Sequence, residues 1–167
     1  MRHARPTRAI SCGRMSARQP VLVVGYDGSP AANAALAHAA TLAAGGRVVV
    51  VHAHEPAPKQ LDPKWREILT ADQAERSRAI LDALPERIAA VLNGITWESV
   101  SVDGPPCPAL CRIAEELDAD AIVVGTHGFG RIGALLGSVA HDLLREADRP
   151  VIVIPPRAVV RLGDETA

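Results

Sequence analysis

The stretch AIVVGTHGFGRIGALLGSVAHDLLREADRPVIVI, residues 121–154, contains the pattern that decides the fold. It begins and ends with the short apolar runs AIVV and VIVI, which are typical of strands buried on both faces of a parallel sheet. Between them lie five glycines from Gly125 to Gly137, followed by an amphipathic run that predicts a helix over 138–147. The order strand, loop, helix, strand predicts a βαβ unit.

The same alternation continues toward the N-terminus. Ser29 and Pro30 are suited to the N-cap and first position of a helix, and Pro85 predicts a kink or restart within another. The segment EPAPKQLDPKW, residues 55–65, is interpreted as a proline-rich loop. The pattern predicts three further strands, over 21–26, 47–54 and 96–102, and three further helices, over 30–44, 72–91 and 108–117. Five strands alternating with four helices predict a single α/β domain, a parallel sheet with helices on both faces.

Composition limits the class of protein. The chain has 167 residues, the usual size of one domain, and only 2% aromatic residues, so its core must consist of Val, Ile, Leu and Ala. Residues 1–20 hold five Arg and no acid, which leaves 13 basic against 19 acidic residues from Val21 onward, a net charge of −6. An acidic folded part argues against nucleic-acid binding.

The composition also predicts the location of the protein in the cell and the limits of its folded domain. No apolar run reaches membrane-spanning length, no secretory signal is evident, and three cysteines do not make a disulfide framework, so we predict a cytoplasmic protein that does not bind membranes. Residues 1–19 are expected to be a disordered tail or a misassigned start, with Met15 as the alternative start and a transit peptide as a further reading. Residues 20–157 form the predicted domain, and 158–167 a C-terminal tail.

The glycine-rich stretch predicts a phosphate site. Glycines allow the backbone to approach a ligand, and the following helix offers unpaired N–H groups at the positive end of its dipole. Ser138 could donate its hydroxyl to a phosphate, or could simply cap the helix. A Walker A loop is absent because neither Lys59 nor Lys64 follows a glycine. The G-x-G-x-x-G pattern over 128–133 is interpreted as a false positive, because the dinucleotide motif belongs after the first strand.

These residues resemble the universal stress protein family, a branch of the adenine-nucleotide α-hydrolase-like group. The resemblance covers residues 20–157 and rests on VLVVGYDGSPAANAAL, VVVVHAHEP, PALCRIAEELDADAIVVGTHG and, most specifically, LLGSVAHDLLREADRPVIVIP. The ATP-binding branch carries Gly, two residues, Gly, nine residues, Gly, then Ser or Thr. Here eight residues separate Gly128 from Gly137. We interpret the difference as a loop deletion that retains the site.

The resemblance implies a sheet order of 3-2-1-4-5, a homodimer paired through the last strand, and binding of ATP, with or without Mg²⁺. It implies that Asp27 meets the ribose and adenine, that Ala53 lines the adenine pocket, that Val124 and Gly125 lie near adenine and ribose, and that Gly128, Gly137, Ser138 and Val139 hold the phosphates. Asp27 could instead cap a turn, and Ala53 and Val124 could be ordinary core residues.

The function expected from this site is a nucleotide-binding stress-response module with a regulatory role. One alternative is a universal stress protein that binds no nucleotide and acts as a dimeric interaction protein. Another is an enzyme with slow ATP hydrolysis or nucleotidyl transfer. No Ser/His/Asp arrangement or pair of carboxylates stands out in the sequence.

Several other side chains were candidates for chemistry. His52 and His54 are predicted to face opposite ways on a strand, which would make a poor metal pair. His127 and Arg131 lie in the glycine-rich stretch, where each could contact phosphate or remain solvated. Cys107 and Cys111 are four residues apart, so a helix places them on one face, with a redox or metal role as a minor alternative.

Overall fold

Five parallel strands form a single sheet in the described part of the chain. The computed structural model describes residues 18–54, 57–89, 91, 94–127 and 136–157, without the side chains of 87 and 89. The strands are β1 (Val21–Gly25), β2 (Arg47–His54), β3 (Thr96–Asp103), β4 (Ala121–Gly125) and β5 (Val151–Ile154). They lie in the order β3-β2-β1-β4-β5, and every neighbouring pair is parallel. The predicted fold class and strand order are confirmed.

The helices of the described residues are α1 (Pro30–Ala43), α2 (Pro63–Asp82), α3 (Leu84–Ala89), α4 (Pro106–Glu116) and α5 (Ser138–Glu146). The Ser29 hydroxyl accepts a hydrogen bond from the Ala32 N–H at 3.1 Å, as expected of an N-cap. The restart predicted at Pro85 is confirmed, because α2 ends at Asp82 and α3 begins at Leu84.

The start of α2 differs from the prediction by nine residues. Asp62 caps this helix by accepting the Lys64 N–H at 2.9 Å, and Pro63 occupies its first turn. The last part of the predicted loop, from Pro63 to Trp65, is therefore helical. Asp62 and Pro63 repeat the capping pattern of Ser29 and Pro30.

Two apolar layers enclose the sheet. Alternate residues of β1 point to opposite faces, with Val24 in the first layer, under α1 and α3, and Val23 in the second layer, under α4 and α5. The α1 layer is filled largely by alanines, which lets that helix approach the strands closely. Within the described residues, no helix is both long enough and apolar enough to cross a bilayer.

Candidate functional site

A cavity of about 260 Å³ opens at the carboxyl ends of β1, β2 and β4, beside the first turn of α5. Ligands bind in this position in open parallel sheets, near the point where the strand order reverses. Seven of the eight predicted site residues line it: Asp27, Ala53, Val124, Gly125, Gly137, Ser138 and Val139. The eighth, Gly128, lies outside the described residues, as does Arg131.

Backbone bonds fix the start of α5 against the end of β4. The Thr126 N–H donates to the Ile154 carbonyl at 2.9 Å, and the Gly137 N–H donates to the Thr126 carbonyl at 2.6 Å. A Cβ at position 137 would lie 2.9 Å from that carbonyl oxygen and 3.3 Å from the His127 Cα. Glycine is therefore required here by a close approach within the chain, and its N–H is already used.

The first turn of α5 leaves backbone donors directed at the cavity mouth. Its first intrahelical bond runs from the His141 N–H to the Gly137 carbonyl, so the N–H groups of Ser138, Val139 and Ala140 precede it. Its N-cap residue, Gly137, has no side chain to cap the helix, whereas the N-cap side chains of Ser29 and Asp62 cap α1 and α2. These N–H groups, the helix dipole and the exposed Ser138 together form a suitable environment for an anion.

The opposite part of the cavity is mostly apolar. Its walls include Val51, Ala53 and Leu110, whose aliphatic groups suit the faces of a flat aromatic ring. Pro106 and Leu110, at the start of α4, were not singled out from the sequence. Apolar residues on a helix carry no signal that distinguishes a cavity wall from a core position.

Asp27 has the turn-capping role that was its alternative assignment, and its contact with ribose and adenine remains a prediction. Its Oδ1 accepts the Ser29 N–H at 2.9 Å, which closes a turn before α1 and fixes the carboxylate at the cavity. Asp27 is the only carboxylate among the described residues lining the cavity, and neither Lys nor Arg is among them. The described walls therefore offer phosphates backbone N–H donors and the imidazole of His127, but no Lys or Arg side chain.

Gly125 is explained by packing. A Cβ at this position would lie 2.6 Å from the Ala31 Cβ and 2.7 Å from its carbonyl carbon. The end of β4 thus touches the first turn of α1, with no space for a side chain between them. A contact of Gly125 with ligand remains a prediction.

The prediction that His52 and His54 face opposite ways is wrong. Residues two apart on a strand share a face, and their ring centroids lie 6.2 Å apart. His52 is buried, with Nδ1 2.8 Å from the Tyr26 carbonyl oxygen and Nε2 3.2 Å from the Ser77 hydroxyl of α2. His54 lies 2.8 Å from the Asp103 carboxylate. The described residues contain no cluster of three potential metal ligands, and His52 instead joins α2 to the sheet.

The two cysteines of α4 pack into the second apolar layer. Burial, and then the neighbouring Cys111 thiol, raise the pKa of Cys107 to about 12. Burial also raises the pKa of Cys111. A thiol with a raised pKa is a poor nucleophile at neutral pH, so these groups serve as packing side chains.

Comparison with known proteins gives matches across the folded region. The sequence model of the Universal stress protein family matches residues 20–155. The "Universal stress protein in QAH/OAS sulfhydrylase 3'region" of Thermus aquaticus is 37% identical over 140 residues, which cover 80% of this chain and 96% of that protein.

Solved structures match over the same region. A universal stress protein in complex with cAMP is 29% identical with a TM-score of 0.60, and the match covers 81% of this chain and 96% of that one. The Archaeoglobus fulgidus universal stress protein in complex with dAMP is 28% identical with a TM-score of 0.57, covering 82% and 98%. Both complexes contain an adenine nucleotide.

Proposed function

Because this chain belongs to the universal stress protein family, we propose that it binds ATP in the cavity beside α5 and acts as a homodimeric regulatory module in the cytoplasm. The observation that carries the proposal is the uncapped first turn of α5, which faces a cavity with apolar walls. An adenine nucleotide has the matching two ends, a flat base and an anionic phosphate chain. Relatives solved with cAMP and dAMP support this ligand class.

Each part of the site has a distinct task in this proposal. The N–H groups of Ser138, Val139 and Ala140 and the Ser138 hydroxyl hold phosphate oxygens, and Asp27 accepts hydrogen bonds from the ribose. Ala53 and Val124 contact the base. Mg²⁺, if bound with the nucleotide, would offset phosphate charge that no Lys or Arg among the described lining residues neutralises.

The homodimer is proposed to form through β5. This strand lies at one edge of the sheet, and among the described strands it pairs with β4 alone. The Pro150 carbonyl accepts from Ile122 of β4, and the Ile154 carbonyl accepts from Thr126, directly after β4. Val151 and Val153 alternate with these residues, so their backbone groups point to the free edge. A second β5 could pair with those groups.

Mass spectrometry of small molecules released by mild denaturation tests the ligand. We expect an adenine nucleotide near one per chain, and substantially less from a Ser138→Ala variant purified identically. A wild-type preparation that releases no nucleotide, and takes up none when incubated with ATP, would favour the family's alternative role as a dimeric interaction protein.

A further inference from the structure

The N-terminal half of α2 carries an apolar stripe that the fold does not bury. Trp65 is 61% exposed, Ile68 48% and Leu69 37%. These residues are three and four positions apart, so they share one side of the helix. Such a group on an otherwise charged helix is typical of an interaction surface rather than of a solvated face.

Ile68, at the middle of the stripe, lies on the side of α2 opposite the core. Ser77 is buried against His52, and Ile80 and Leu81 pack against the first apolar layer. Ile68 precedes Ser77 by nine residues, which at about 100° per residue places the two on opposite sides of the helix. A large part of the stripe therefore remains open to solvent in the single chain.

We propose that this stripe is an interface between two copies of the chain, with their α2 helices packed antiparallel around a two-fold axis at Ile68. Such an interface uses the same surface on both subunits, so every contact occurs twice. Trp65 and Leu69 lie to the same side of Ile68, at about 60° and 100° around the helix, so each would pack against the other residue of the partner subunit. Tryptophan is among the residues most enriched at the energetic centres of interfaces.

The charges on α2 favour a second copy of the chain as the partner, and they favour the antiparallel direction of the two helices. Lys64 and Asp72 stand four residues on either side of Ile68, so the antiparallel arrangement places each close to the other residue of the partner subunit. Asp72 pairs through Oδ2 with Arg76 of its own helix at 2.9 Å, which leaves Oδ1 for the contact with Lys64. Glu75 is one turn beyond Asp72 and on the same side as Lys64, which adds a second attraction. A parallel arrangement would instead place Lys64 against Lys64, and like charges in contact oppose association.

The proposed interface is separate from the β5 edge. In the structure α2 packs on β2, and two strands, β1 and β4, lie between β2 and β5 in the sheet. The α2 contact therefore does not depend on whether β5 pairs or on whether the cavity binds nucleotide.

Sedimentation velocity over a concentration series tests the association. Ile68→Glu should raise the dissociation constant of one association step by more than about tenfold, because it places two carboxylates at the two-fold axis. Leu42→Glu is the matched control, since Leu42 is also 48% exposed but lies on α1. It should sediment like the wild type. A dissociation constant that Ile68→Glu leaves unchanged would overturn the proposal. So would a dissociation constant that Leu42→Glu raises by the same factor.

Crosslinking tests the antiparallel register. Ile68→Cys should give a 68–68 disulfide on mild oxidation, identified by peptide mapping, whereas Leu42→Cys should not. Lys64→Glu should weaken association, and adding Asp72→Lys should restore much of it by reversing the pair. A 68–68 yield no higher than the control yield would contradict the arrangement, as would a double variant weaker than the single one.

Discussion

The backbone N–H of Gly137 donates to the carbonyl oxygen of Thr126 at 2.6 Å, across eleven residues of chain. This bond joins the end of β4 to the N-cap of α5, and it holds the donors of the first turn beside the cavity. The described residues on either side of the glycine-rich segment, Thr126 and Gly137, are thus held together. The orientation of the α5 donors is therefore set by the sheet.

Position 137 should affect stability, and position 138 should affect binding. Gly137 has φ of −71°, which any residue can adopt, so the cost of Gly137→Ala comes from the Cβ contact with the Thr126 carbonyl. We expect a loss of about 1–3 kcal/mol in unfolding free energy. Chemical denaturation measures it, and an unchanged denaturation midpoint would show that the close approach is easily relieved.

Ser138→Ala should leave the melting temperature nearly unchanged, since the exposed hydroxyl caps no helix. Loss of one charge-assisted hydrogen bond, worth about 1.5–3 kcal/mol, should weaken ATP binding by about ten- to a hundredfold. Adenosine, which has no phosphate, serves as the control ligand and should bind both proteins equally. Equal weakening of adenosine and ATP would remove Ser138 from the phosphate site.

Asp27→Asn separates the two roles of that side chain. The amide oxygen can still accept the Ser29 N–H and preserve the turn, while the carboxylate that would accept ribose hydroxyl bonds is lost. Adenosine and ATP should both weaken, by similar factors of about tenfold or more. Calorimetric titration of both ligands, with the melting temperature as a folding check, decides this. Unchanged adenosine affinity would leave Asp27 as a turn residue alone.

The β5 interface should depend on the outward-facing residues of the strand. Val153→Pro removes an N–H from the free edge and should convert a β5-paired dimer to monomer, while the bonds to β4 persist. Val153→Ala, which keeps the N–H, is the control and should remain paired. Light scattering reports the mass. A Val153→Pro protein that retains the wild-type association state would place the dimer elsewhere.

Much of the fold was predictable because local signals agreed with it. The apolar runs, the Ser29-Pro30 cap and the break at Pro85 each specify their element without help from distant residues. The sheet order came from the family resemblance. Local patterning does not encode which parallel strands become neighbours.

The differences between the sequence predictions and the structure have physical causes. Proline-rich composition concealed the start of α2, although Asp62 and Pro63 form a cap that a residue-by-residue inspection detects. His52 and His54 share a face, against the prediction, because side chains two residues apart on a strand point the same way. The packing role of Gly125 depends on Ala31, 94 residues earlier, so the sequence gives no local sign of it.

Cys107 should make stability depend on alkaline pH. Its thiol pKa is raised from 9.0 to about 12 in the folded chain, so the unfolded chain ionises first. The contribution of the buried, neutral Cys107 thiol to the free energy of unfolding is fully present below pH 9. It is lost as the pH rises from 9 toward 12. Denaturation at several pH values should show a steeper decline for the wild type than for Cys107→Ala. Parallel declines in the two proteins would contradict the burial of the thiol.

Binding of ATP to the wild-type chain tests the central claim most directly. Isothermal calorimetry is done with protein shown to be free of copurified nucleotide, and Ser138→Ala is titrated alongside it. The account predicts saturable ATP binding near one site per chain, weakened in the variant. No detectable binding of ATP or ADP at millimolar ligand would contradict it.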